Sequence, residues 1–366
     1  MSLRTTTTIL NANSLTAELL DRWQHLQQSN AALDSPFFNS SFTTAVAAER
    51  GHVEVAVIER NGAVTGFLPY CRERSNIATP VAASFTDFQA VISAPNASFD
   101  MRRVLQDGRL SAWHFDHLVA SQESLTPFHW AYAASPYMDL SQGFDSHLKR
   151  CRQSAGKELS EVFRKGRKLE REVAPIRFEA ETTDERVLDT LIQWKRQQLT
   201  RQQRADCFRQ SWVLPMLTRI LNTHTGTFRP MLSAVYVGEE LASINFGLRN
   251  GEVLHGWITA FNSKFRKFSP GLILMIKLAE VASSLGITRI DMGRGDESFK
   301  RNFSSGVTCV AEGAIDRRFM AGTLRHSWVR IKELLRRTSL GTPATNLLRK
   351  LRYAGERASH SLDTGR

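Results

Sequence analysis

The stretch DMGRGDESFKRNF, residues Asp291 to Phe303, gathers side chains suited to acid–base work within a chain of 366 residues. Gly293 and Gly295 flank Arg294 and permit sharp backbone turns. They place Asp296, Glu297, Lys300 and Arg301 just beyond the short buried strand expected at ITRIDMG, the end of a strand at which open α/β sheets bind ligands. Asp296 or Glu297 has the chemistry of a general base toward an amine or hydroxyl, and Lys300 that of an anion contact. The same residues also suit a salt-bridged loop, with Lys300 pairing to Asp296 at helical spacing. Both readings stay open on chemistry alone.

Upstream, KFRKFSPGLILM leads from Lys264, Arg266 and Lys267 into Ser269, Pro270 and an apolar run. Pro after Ser is helix-start chemistry, and the first amides of a helix lack internal acceptors. Such a terminus can hold phosphate, which makes Arg266, Ser269, Gly271, Leu272 and Ile273 candidate cofactor contacts. A capped helix after a basic loop is the plainer reading. His255 and Trp257 lie on the strand before this loop and share a face with Thr259 by period two. His255 is a candidate base or a satisfied core histidine. No His, Cys or Asp spacing suggests a metal site, and there is neither a Gly-x-Ser-x-Gly elbow nor a Gly-Lys-Ser/Thr phosphate loop.

Strands and helices must hold these groups. VEVAVIE, an Asn61-Gly62 turn and AVTGFLPYC form an expected hairpin, since both turn residues tolerate positive φ. Three further strands are expected near Met231–Val237, Leu241–Leu248 and Glu252–Ala260. Ala56-Val57-Ile58 and Ala234-Val235-Tyr236 superpose as equivalent strand cores, which suggests a duplicated α/β unit. DERVLDTLIQWKRQQLTRQQR sets Val187, Leu188, Leu191, Ile192 and Leu199 on one helical face behind Asp184 as N-cap. A second helix runs from Pro270 to Gly286, and His147–Val173 is an expected basic helix joining two units. The order of elements points to mixed α/β layers.

Composition narrows the class. Cys71, Cys151, Cys207 and Cys309 lie far apart with no Cys-x-x-Cys pair, which suits a reducing compartment. The first twenty residues lack the apolar core of a signal peptide, and no window approaches the roughly 18 apolar residues of a membrane span. A cytoplasmic protein is expected. Net charge is +12, concentrated in Lys149–Glu172, with nine basic residues against four acidic, and Thr323–Arg357, with nine against two. Such runs bind nucleic acid, anionic lipid or phosphorylated small molecules, or simply face solvent.

The phrase FNSKFRKFSPGLILMIKLAEVASSLGITRIDMGRGDESFKRNF resembles the signature of a bacterial branch of the GNAT acetyltransferase superfamily. That branch comprises the cellulose-biosynthesis (CelD-like) acetyltransferases, also described as BioF2-like. The matching residues are Phe268 to Leu272, Arg289 to Gly293 and Gly295 to Lys300. SPFFNSSFTTAVA, NGAVTGFLPY, SFTDFQAVI, FDHL and SPYMDL follow the family order in the first half. Arg266 and Gly271 take the outer positions of the superfamily's pyrophosphate loop, while Ser269 replaces its first glycine and Pro270 removes one donor.

The resemblance implies two tandem GNAT-like units, as in the related FemABX aminoacyltransferases: an acceptor-side unit over 1–146, an acetyltransferase unit over 147–316, and a basic helical tail over 317–366. It implies acetyl-CoA or another acyl-CoA as co-substrate, no metal, and a small or sugar-linked acceptor in exopolysaccharide, cellulose or envelope synthesis. Asp296, Glu297, Lys300 and His255 are then the catalytic candidates, and Arg294, Trp257 and Asp87 the acceptor contacts. Two alternatives accompany this reading. One is aminoacyl transfer from tRNA. The other is a non-catalytic scaffold for polysaccharide-synthesis machinery, with the basic tail around Trp328, Leu347, Leu348 and Leu351 lying on the membrane surface.

Overall fold

Asn61 and Gly62 both adopt positive φ, 53° and 79°, and close the hairpin expected between β2 (Val53–Arg60) and β3 (Ala63–Glu73). The computed structural model describes residues 5–318. Its remaining strands are β1 (Thr5–Asn11), β4 (Ile77–Thr79), β5 (Ile92–Ser93), β6 (Ala112–Val119), β7 (His129–Asp139), β8 (Ile176–Glu179), β9 (Phe228–Val237), β10 (Glu240–Asn250), β11 (Val253–Phe261), β12 (Arg289–Asp291) and β13 (Gly306–Asp316). The helices are α1 (Ala17–Gln28), α2 (Ser40–Glu49), α3 (Met101–Asp107), α4 (Gly143–Glu172), α5 (Glu185–Arg201), α6 (Val213–Leu221), α7 (Pro270–Val281) and α8 (Ser298–Phe303).

All strands join one sheet in the order β1-β2-β3-β4-β6-β13-β7-β12-β11-β10-β9-β8, with β5 on β3. Each half repeats one plan: antiparallel strands, then a single parallel pair, β4 with β6 and β11 with β12. The equivalent cores Ala56–Ile58 and Ala234–Tyr236 fall on β2 and β9, the second strand in from each edge. The halves then exchange arms. β7 crosses to pair with β12 of the second half, and β13 returns to lie between β6 and β7. The expected boundary at 146/147 falls inside α4, and strands from both sides of it interleave at the centre of the sheet.

Alternation along the strands splits the core by face. Val55 and Val57 face one layer, Ala56 and Ile58 the other. The first layer, formed by α1, α2, α5 and α6, spans both halves and buries Trp23, Phe37, Phe42, Leu191 and Phe246. Each large ring removed from water contributes about 1.5–3 kcal/mol. The opposite face is divided: α3 covers the first half through Val104 and Leu105, while α4, α7 and α8 cover the second through Leu159, Leu274 and Phe303.

Local chemistry sets the helix ends. The Asp184 carboxylate accepts from the Arg186 amide and caps α5. Gly286, at φ 66°, ends the short turn after α7. The basic helix expected at His147–Val173 is α4, broken at Ala155 (φ −145°, ψ 40°). Among the described residues no helix is long and apolar enough to cross a membrane. The tail expectation, with Trp328, Leu347, Leu348 and Leu351, lies outside the described residues from 319 onward.

Candidate active site

β11 and β12 pair over only three residues, ending at His255 opposite Asp291. Beyond that point β12 gives way to a loop that follows β7, with the Met292 amide donating to Pro136 and the Gly295 amide to Ala134. β11 continues to Phe261, so among the described residues its β12-facing edge has no strand partner past His255. On its other side β11 carries an extra residue: His255 pairs with Leu248 but Ile258 with Phe246, leaving Gly256 and Trp257 opposite Gly247. This bulge resets the alternation. His255 and Trp257 do share a face, but Thr259 turns to the other one and donates to Asn245 at 2.9 Å.

A chain of charged groups from both halves meets at this divergence. His255 is fully buried, and its Nε2 lies 2.9 Å from Asp87 Oδ2. Its Nδ1 faces Asp291 Oδ2 at 4.0 Å, an ion-pair distance longer than a hydrogen bond. Arg289 holds Asp291 with Nε at 2.8 Å and Nη2 at 3.1 Å, and donates through Nη1 to Asp34 at 2.5 Å. Burial alone would lower the proton affinity of His255. Asp291 and Asp87 outweigh it and raise its pKa to about 9, so the ring is an imidazolium at neutral pH. Burial likewise opposes the charge of Asp291, but His255 and Arg289 keep its pKa below the usual carboxylate range.

The loop 293–301 closes over this pair. Gly293 has φ 71°, and a Cβ there would stand 3.5 Å from Asp87 Oδ2 and 3.7 Å from His255 Nε2. Lys300 is almost buried, and its ammonium donates to the carbonyls of Gly293 at 3.2 Å and Arg294 at 3.0 Å, with Glu297 at 3.3 Å. Its three protons are thus directed at its own loop. The expected Lys300–Asp296 pair is replaced by Lys300–Glu297, because α8 starts only at Ser298. Asp296 and Glu297 are exposed, and the Asp296 carbonyl accepts from Arg301. Arg294 donates to the Asp116 carbonyl at 2.6 Å and lies 3.6 Å from Glu312, so it fastens the loop to the first half. Trp257 serves the same join: its indole donates to the Phe85 carbonyl at 2.9 Å, two residues before Asp87.

At the start of α7, Ser269 is left-handed (φ 57°) and its hydroxyl does not cap the helix. It accepts instead from Lys165 of α4 at 3.1 Å. The Leu272 and Ile273 amides both donate to the Ser269 carbonyl, at 3.0 and 3.2 Å. With Pro270 lacking an N–H, Gly271 supplies the backbone donor at this mouth. Arg266 and Lys267 are exposed beside it, and Lys264 pairs with Glu240.

Sequence reasoning missed four participants: Asp34, Arg289, Lys165 and Lys195. Arg289 and Asp291 alternate onto one face of β12, a period-two signal that was available. Lys195 follows Leu191 by four residues, a cation on the apolar stripe of α5. Burial and Arg204 lower its pKa, and it stands within electrostatic reach of Asp87 and Lys300. Asp34 and Lys165 gave no local signal, since each meets its partner only through the tertiary fold.

With this geometry in hand, residues 157–301 match the acetyltransferase (GNAT) domain family. That stretch is similar to a GNAT-type domain. No curated protein matches the chain in sequence. Among solved structures, FemX is similar at TM-score 0.55 and 11% identity, over 88% of this chain and 99% of that one. A conserved protein of unknown function from Bacteroides thetaiotaomicron is similar at 0.54 and 10%, over 85% and 100%. A tandem GNAT protein from the clavulanic acid biosynthesis pathway is similar at 0.50 and 10%, over 86% and 98%. At these identities the likeness is one of fold, and the fold is the tandem GNAT arrangement.

Proposed function

We propose that the chain transfers an acyl group from coenzyme A to an amine or hydroxyl of a sugar-linked or envelope precursor. The observation that carries this is the Asp87–His255 pair, built from both halves, at the point where β11 and β12 diverge within the GNAT domain. The residues nearby fit a phosphorylated donor. Gly271 offers a backbone N–H, Lys165 and Arg266 offer charge, and the unpaired edge of β11 offers a row of peptide groups for an extended ligand.

Bound there, an acyl thioester supplies an electrophilic carbonyl and a thiolate leaving group. The acceptor nitrogen or oxygen forms the new bond to the acyl carbon, the C–S bond breaks, and the thiolate takes a proton from solvent, balancing the one the acceptor gives up. Asp87 is the group placed to take the acceptor's proton, because it alone of the pair is partly exposed. His255 orients Asp87 through their 2.9 Å contact; Asp291 and Arg289 fix the imidazolium from behind. Asp296 and Glu297 lie further out on the loop and suit contact with the acceptor better than proton transfer.

Calorimetric titration with acetyl-CoA tests the donor. Binding heat with micromolar to millimolar affinity is expected, and none at saturating ligand would remove the reading. A second reading has one observation in its favour. Arg152, Lys157, Arg164, Arg167 and Arg171 are exposed along α4, a strip that suits the backbone of a charged tRNA as donor. Binding of tRNA would then fall steeply with salt, while acetyl-CoA would give no heat.

A further inference from the structure

We infer that Gln89 is a positioning residue for acyl transfer: it seals the cleft of the first half with the chain's own backbone and thereby fixes where Asp87 stands. The inference rests on the reading of Asp87 and His255 as the proton-accepting pair. In the second half the parallel strands part and leave an open edge. In the first half β4 pairs with β6 only at Ile77–Ala78 and ends at Thr79. The space beyond, between β3 and β6, is then taken by residues 89–93. β5 pairs with β3 through Ile92 and Ser93. Gln89 bridges to β6 in both directions, its amide donating to His117 at 2.9 Å and its carbonyl accepting from Val119 at 2.9 Å.

The Gln89 side chain repeats the link. Its Nε2 donates to Asp116 Oδ1 at 2.7 Å and its Oε1 accepts from the Asp116 amide at 3.1 Å. Asp116 is steadied in turn by His117 at 2.9 Å and, through its carbonyl, by Arg294. Asp87 therefore sits between two anchors, Phe85 tied to Trp257 and Gln89 tied to β6. Only residues 86–88 separate them, so a carboxylate held at 2.9 Å from His255 depends on both. The filled gap leaves no diverging strand pair in the first half that matches the β11–β12 opening of the second, so one donor binds per chain.

The groups facing His255 are Asp87 and Asp291, with Arg289 and Asp34 behind and Lys195 within electrostatic reach of Asp87. Loosening Asp87 must therefore lower the proton affinity of His255. The test uses the full chain with nitrogen-15-labelled histidine, His255 being assigned by its loss in H255N. Wild type should titrate near 9. D87N should lower that value by at least about one unit, and Q89M and Q89E by about half as much or more, with acetyl-CoA affinity within about twofold and one site per chain. If Q89M does not fold, Q89E, which keeps the acceptor toward the Asp116 amide, carries the same expectation. Unchanged His255 titration in folded Q89M or Q89E, or two acetyl-CoA sites per chain, would overturn the inference. A shift in Q89M together with no acetyl-CoA heat in wild type would support it while removing the donor reading alone.

Discussion

Two buried histidines give the fold opposite responses to pH. His255 has its pKa raised from 6.5 to about 9, so the stability it adds is fully present below 6.5 and disappears as pH rises through 9. His147 is lowered to about 4 by burial first and Arg150 second, so protonating it opposes folding, and its stability is lost as pH falls from 6.5 toward 4. It donates or accepts between Ser305 Oγ at 2.9 Å and Cys151 Sγ at 3.4 Å, as a neutral ring. Each group is worth about 3 kcal/mol at the full shift. Urea unfolding across pH should show H255N flattening the alkaline fall and H147Q the acid one. His255, Asp87, Trp257 and Lys300 could be singled out from sequence as chemically apt, but their partners could not. Lys300 illustrates the limit: spacing offered Asp296 as its neighbour, and the fold gives it two carbonyls and Glu297 instead.

Elements were legible where local chemistry decides them. The Asn61-Gly62 hairpin, the Asp184 cap and the helix starting at Pro270 all follow from residues a few positions apart. The bulge in β11 does not, because period two extends smoothly through Gly256 and Trp257 until Gly247 on the neighbouring strand is known. Gly247 is required there: a Cβ would come within 2.9 Å of Leu254 Cδ1, 3.0 Å of Asn245 Nδ2 and 3.2 Å of the His255 carbonyl. G247A should cost about 1–3 kcal/mol by overpacking, read as a lower urea midpoint with unchanged slope. At the mouth of α7 the charge comes from a distant helix. K165M should weaken acetyl-CoA binding roughly tenfold, with a shallower salt dependence, as measured by calorimetry at two ionic strengths.

At the scale of the whole molecule, duplication was readable from the shared strand cores, while the exchange of β7 and β13 was not. A strand's partner in the other half is set by tertiary pairing and leaves no local mark in the strand itself. The exchange has a mechanical consequence: neither half is complete without the other's arm. Residues 1–146 expressed alone should fail to fold, and the full chain should unfold in one transition, coincident by fluorescence and circular dichroism. The same interlocking brings Asp34 and Asp87 from the first half to His255, Asp291 and Arg289 from the second. The most direct measurement is release of free thiol from acetyl-CoA in the presence of amine and amino-sugar acceptors, wild type against D87N. We expect acceptor-dependent release that falls about a hundredfold or more in D87N with acetyl-CoA affinity unchanged. Equal turnover in D87N and wild type would contradict Asp87 as the proton acceptor at this site.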